Sequence, residues 1–167
     1  MNITWLGHSC FVVESAGWRI VLDPYYVETY PALHIEADEA LCSHGHRDHA
    51  FLEAVTLSGC DKSESPFTVE TVSTFHDDKK GSLRGENTIH ILRAEGVTLV
   101  HCGDLGHELN EKQLAAVRSR TRSHRACSCR CTTASARTAT LRSAHSMNFW
   151  RCMRQRRSTN LMGTLSS

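Results

Sequence analysis

The run His44-Gly45-His46-Arg47-Asp48-His49 sets three imidazoles and a carboxylate within six residues. No other feature of the chain restricts its fold and chemistry as tightly. Imidazole and carboxylate are ligands that divalent zinc, manganese and iron accept. Side chains at positions 44, 46 and 48 repeat with a period of two and share one side of an extended segment, while His49 projects elsewhere. One short loop can therefore serve two metals a few ångströms apart, and Gly45 lets the backbone pass close to the cations. The competing reading is a solvated loop that happens to be rich in histidine. The position of the cluster, directly after the strand candidate Glu39–Ser43, argues against it.

A catalytic zinc needs at least three protein ligands and an open position, so further ligands are expected at other strand ends. Two candidates stand out. His76 follows the β-branched segment Thr68–Phe75, and Asp104 follows Val97–Cys102. The remaining strand candidates are Ile3–Leu6, Cys10–Glu14, Arg19–Leu22 and Thr88–Arg93, the first three forming a meander with Ser15-Ala16-Gly17 as a hairpin turn. Pro24 ends the third. Asp48–Val55 is expected to make one or two helical turns, and Leu109–Val117 a helix with Asn110 as its cap. Runs of strands with few helices suggest a sheet-on-sheet core with helices outside. His90, His101 and His107 read as strand or loop residues without a catalytic role, and Asp77-Asp78-Lys79-Lys80 as a solvated turn.

The segments Ile3-Thr4-Trp5-Leu6-Gly7-His8-Ser9-Cys10, Asp23-Pro24-Tyr25, His44–His49, Phe75-His76-Asp77-Asp78 and Gly103-Asp104-Leu105-Gly106 resemble the metallo-β-lactamase superfamily. Within it they are most similar to bacterial Zn-dependent hydrolases of the ascorbate-6-phosphate lactonase type. The resemblance covers residues 1–117. It implies an α/β chain with an αββα sandwich, incomplete in its C-terminal half, and metals at one edge of the sheets. It further implies that His44, His46 and His76 hold one metal, that Asp48 and His49 hold a second, and that Asp104 bridges them. Two zinc ions per chain are the implied cofactors, with manganese or iron as alternatives. The implied activity is hydrolysis of a lactone, ester or phosphoester by a metal-activated hydroxide, which Asp48 orients or whose released proton it receives. His8 and Asp23 match family positions without an assigned metal; for His8 a place near the site and a structural role in a turn both remain open.

After Val117 the character changes. Residues 1–117 carry eight Lys/Arg against eighteen Asp/Glu, a balance of −10, whereas residues 118–167 carry eleven Arg and no acid. The resemblance implies that an apolar strand of Leu-Val-Pro-Val-Gly-Gly character and a later strand ending in Pro-Met-His-Tyr should follow, the last histidine completing the second metal site. Neither is legible, nor can a strand period be followed through Arg118–Ser146. His124 and His145 are the only histidines left, both in Arg-rich surroundings. A frameshift near Val117–Arg118 accounts for this composition better than a native tail. Residues 1–117 are thus expected to form a partial metal-binding domain, and 118–167 an Arg/Ser/Thr/Cys-rich tail that is disordered or poorly packed. Missing strands would expose sheet edges and weaken the second metal, lowering activity.

No run of about 20 apolar residues is available to span a bilayer, and the N-terminus lacks the pattern of a secretory signal. A cytoplasmic location with reduced thiols is the expectation. The partner expected is a small-molecule substrate, with no membrane; self-association is left open. A phosphodiesterase acting on nucleic acid is the alternative enzyme reading, disfavoured because the acidic first 117 residues would repel a polyanion. A third reading is an inactive metal-binding remnant whose arginines bind nucleic acid non-specifically.

Overall fold

A computed structural model describes residues 1–121 and the backbone of residues 125–129. The meander forms as expected. β1 (Asn2–Gly7), β2 (Cys10–Ser15) and β3 (Trp18–Leu22) are antiparallel, and β5 (Glu39–Leu41) adds parallel to β3. A second sheet takes the order β10-β9-β8-β7, from β7 (Thr68–Phe75), β8 (Glu86–Ala94), β9 (Val97–His101) and β10 (Arg125–Cys129).

Side-chain alternation brings the two sheets face to face. Val13, Ile20 and Leu22 of the first sheet pack with Leu92, Ala94 and Leu99 of the second in one buried cluster that also holds Trp18 and Phe67. The other face of the first sheet, carrying Cys10, Val12 and Val21, is covered by Tyr25, Ile35 and Ala37. Buried on both faces, β2 and β3 read as nearly continuous apolar runs. Ile35 and Ala37 belong to β4 (Ile35–Ala37), which pairs in parallel with β6 (Val55–Leu57). Neither strand was anticipated, because three residues are too few for alternation to show.

The expected strand Glu39–Ser43 stops at Leu41, since the Ser43 amide is captured by the Asp23 carboxylate at 2.6 Å. The helical turns expected over Asp48–Val55 shrink to the 3₁₀ turn Leu52–Ala54. His49 and Ala50 amides bond back to the His46 carbonyl, and the Phe51 amide goes to Pro24.

Among the described residues a single α-helix forms, α1 (Glu111–Thr121). Asn110 caps it as expected: its Oδ1 accepts from the Gln113 amide at 3.0 Å, while Gln113 Oε1 accepts from the Asn110 amide. The helix runs four residues beyond the expected end at Val117, itself fully buried, and Arg120 forms an ion pair with Glu70 of β7. The outer helical layers of the expected sandwich are thus represented by α1 alone within the described part.

The stretch read as lacking strands contains β10, which pairs in parallel with β9 from Arg125↔Val97 to Cys129↔His101. Backbone N–H and C=O groups provide the ladder whatever the side chains, so pairing can occur where no apolar pattern announces it. That edge of β9 is consequently paired. His124 and His145 lie outside the described residues.

Candidate metal centre

Four strands end at one place. His8 follows β1, His44–His49 follow β5, His76 follows β7, and Asp104 lies just past β9. The loop after β5 is held by the Tyr26 amide on the Arg47 carbonyl at 3.0 Å, and the Arg47 guanidinium lies 4.1 Å from the Tyr26 ring centroid. That cation–π stack turns Arg47 away from the neighbouring imidazoles. His76 is steadied by Asp77. Far from being a solvated turn residue, Asp77 is buried and its carboxylate accepts from the amides of Lys79, Gly81, Leu83 and Arg84. Burial alone would raise this carboxyl, but the four amides hold it below the ordinary range.

All six residues expected at the site converge. One ligand-type atom from each of His44, His46 and His76 falls within 4.8 Å of the other two, and so it is for the trio His44, His49 and Asp104. Asp104 Oδ2 stands 3.4 Å from His76 Nε2 and 3.5 Å from His49 Nε2, between the two groups of imidazoles. Asp48 Oδ2 lies 3.9 Å from His49 Nε2. The Nε2 atoms of His44 and His49 are buried without hydrogen-bond geometry to any group. Such nitrogens are costly to bury unless something accepts their lone pairs, and the donor set of imidazoles and carboxylates fits a divalent cation.

Beneath the cluster lies a network that the sequence did not disclose. Asp23, fully buried, accepts from the Ser43 amide and hydroxyl, from His49 Nδ1 at 2.9 Å and from His101 Nε2 at 2.7 Å. Ser9 Oγ lies 3.0 Å from the same His49 nitrogen. Carboxylate on Nδ1 leaves Nε2 of His49 to face Asp104 and Asp48, the orientation a metal-binding histidine needs. His101, expected to be a plain strand residue, therefore supports the centre through Asp23. His90 and His107 are committed elsewhere, His90 Nε2 to the Cys42 carbonyl and His107 Nε2 as acceptor from the Phe75 amide. Asp23 matched a family position without an assigned role, and no sequence signal singled out His101. Their tie is a contact across 78 residues.

The electrostatics divide the imidazoles. Burial, followed by the charges of His49, His46 and His76, pushes His44 down to about 4. For His49 burial opposes the charged form, but the neighbouring Asp104 and Asp23 carboxylates push it up to about 9. Burial would raise the Asp23 carboxyl; His101 and His49 hold it well below the usual range instead. Without metal His49 is thus a cation up to about pH 9, and it binds metal only after losing that proton. Calorimetric zinc titration near pH 7.5, repeated in buffers of different ionisation enthalpy, should show about one proton released from this residue. Because the folded value lies above the ordinary 6.5, its contribution to metal-free stability is complete below pH 6.5 and is lost as pH rises through about 9. Metal-free urea midpoints that stay level over that window would contradict the assignment.

Residues 2–120 match the β-lactamase superfamily domain. A protein of Methanosphaerula palustris named a metal-dependent hydrolase is 27% identical over 62% of this chain and 60% of its own length. A Carboxydothermus hydrogenoformans protein of the same designation is 29% identical over 70% of this chain and 68% of its own. A crystal structure titled as a Zn-dependent hydrolase of the metallo-β-lactamase superfamily from Thermotoga maritima is 31% identical, with a TM-score of 0.49 over 69% of this chain and 55% of that one. The chain accordingly spans between about half and two thirds of the length of these relatives. The match runs from β1 through α1 and takes in every strand end that carries a ligand-type side chain, and on it the chain belongs to the β-lactamase superfamily.

Proposed function

We propose that this chain is a metal-dependent hydrolase holding two zinc ions and acting on a small lactone, ester or phosphoester. The observation that carries the reading is the convergence of His44, His46 and His76 beside a second group, His49 and Asp48, with Asp104 Oδ2 within 3.5 Å of both. His44, His46 and His76 would hold the first cation, Asp48 and His49 the second, and Asp104 would reach both. When bound, the cations supply Lewis acidity toward water and toward a substrate oxygen.

The rest is done by the chain itself. Asp48, with a side chain 39% exposed, can take a proton from an attacking water and pass it to solvent. Asp23 and Ser9 hold the His49 ring, and Asp77 fixes the loop behind His76. The net charge of −10 over residues 1–117 favours a small substrate over a nucleic-acid backbone. A cytoplasmic location accords with the sequence, and no described helix is long and apolar enough to cross a membrane.

His46 provides a sharp test, because it is exposed and its replacement should cost the fold within about 0.5 kcal/mol. His46→Ala should lower zinc content from two toward one per chain. It should also cut lactone or ester turnover by more than the roughly 10–100-fold that loss of a supporting residue costs. Zinc measured by mass spectrometry, with turnover on a panel of lactones, esters and bis-aryl phosphodiesters, reads both. Unchanged zinc and turnover in the variant would refute the proposed first site.

A further inference from the structure

We infer that His8 is a ligand of the second cation, joining Asp48, His49 and Asp104; this rests on the two-metal reading above. One ligand-type atom each from His8, Asp48 and His49 lies within 4.8 Å of the other two. The His8 ring is 4.9 Å from that of His49, and its Nε2 is 3.3 Å from Asp48 Oδ2. That nitrogen is buried, and its approach to Asp48 lacks hydrogen-bond geometry. A His–Asp ion pair built for its own sake would align donor and acceptor. Two ligands of one cation would stand close together without doing so.

The backbone points the same way. His8 sits at φ +47°, a left-handed conformation uncommon for residues other than glycine, and one that costs about 1–3 kcal/mol. The turn is pinned on both sides, by Trp5 Nε1 donating to the His8 carbonyl at 2.9 Å and by Tyr25 Oη donating to the Leu6 carbonyl at 3.1 Å. A half-exposed carboxylate paired with histidine offers about 0–1 kcal/mol, too little to offset that strain. A metal–imidazole bond is a sufficient return.

The other described histidines near the centre are engaged: His90 with Cys42, His101 with Asp23, His107 with Phe75. His8 instead faces Asp48 and His49 of the second group.

The full-length chain, stripped by chelator and titrated with Co²⁺, provides the test. Bound metal is counted by mass spectrometry after gel filtration, and coordination is read from the visible d–d bands. Wild type should take two ions. His8→Asn, whose side chain tolerates the left-handed backbone, should take one tightly, with the second weakened about tenfold or more and its d–d band altered. Its metal-free melting temperature should stay at the wild-type value, which a purely structural His8 would not allow. Two ions bound with wild-type affinity by the variant would overturn the role of His8 and leave the two-metal reading standing. A wild-type chain that binds one ion or none would overturn both. Should His8→Asn fail to fold, proton NMR of the cobalt-loaded wild type decides. A hyperfine-shifted His8 ring supports the inference, and an unshifted one refutes it.

Discussion

Asp23→Ala should lower unfolding free energy by about 3–5 kcal/mol, a large share of the roughly 5–15 kcal/mol that holds a domain folded. The loss has a countable origin. Removing the carboxylate strands the Ser43 amide, His49 Nδ1 and His101 Nε2, all in a region without solvent, while the Ser43 hydroxyl keeps His44 Nδ1 at 3.0 Å. Each unmet buried donor costs about 1–3 kcal/mol, moderated where neighbours relax or where Ser9 Oγ serves His49 instead. Alanine also inherits a left-handed backbone, since Asp23 has φ +46°. Asp23→Asn separates the contributions, because asparagine accepts that conformation and keeps an acceptor oxygen but lacks the charge. It should fold and yet bind zinc about 10–100-fold more weakly, as His49 loses the partner that fixes its tautomer. Urea denaturation of the metal-free proteins and competitive chelator titration measure the two effects. An Asp23→Ala protein within 1 kcal/mol of wild type would show the buried network to be energetically idle. The depressed carboxyl also makes Asp23 a source of acid sensitivity: its contribution is present above the ordinary value of 3.8 and is lost as pH falls below it.

Gly106→Ala should damage the centre without replacing any ligand side chain. A Cβ at position 106 would stand 2.1 Å from the His76 carbonyl oxygen, 2.2 Å from its carbon and 2.5 Å from the Asp77 amide nitrogen. These are backbone atoms of the segment that carries His76, so no side chain can swing aside. The Gly106 amide also donates to the Phe75 carbonyl at 3.0 Å, which clamps the loop after β9 onto the end of β7. To admit a methyl group the two segments must part by roughly 1 Å, and Asp104 moves away from His76. Overpacking of this kind costs about 1–3 kcal/mol in stability, and a displacement of about 1 Å in a catalytic site can cost on the order of 100-fold in rate. Zinc affinity, turnover and melting temperature should all fall together. Wild-type zinc affinity in the variant would show that the two loops need not touch.

Much of this centre is written locally. The run His44–His49 carries its chemistry in the residue types themselves, and His76 and Asp104 were found by one rule, a ligand-type side chain just past a β-branched strand. The meander from β1 to β3 and the strands β7 to β9 show in the chain because alternation and turn residues act over neighbours. β10 was hidden for the opposite reason. It joins β9 through backbone hydrogen bonds, which leave no mark in side-chain pattern. β4 and β6 were too short to register.

Distance along the chain marks the limit. Nothing near Asp23 announces that it will serve His49, 26 residues on, and His101, 78 residues on. His8 beside Asp48, across 40 residues, is the same case. Asp77 was misread because four amides of its own loop enclose it, and amides are invisible in side-chain composition. Residue chemistry and spacing, acting over a few neighbours, were enough to mark six candidate ligands that the fold brings together. Which side chains orient those ligands was decided by the packing of one sheet on the other, because only the closed fold brings residues from distant strands within 3 Å and shields them from water.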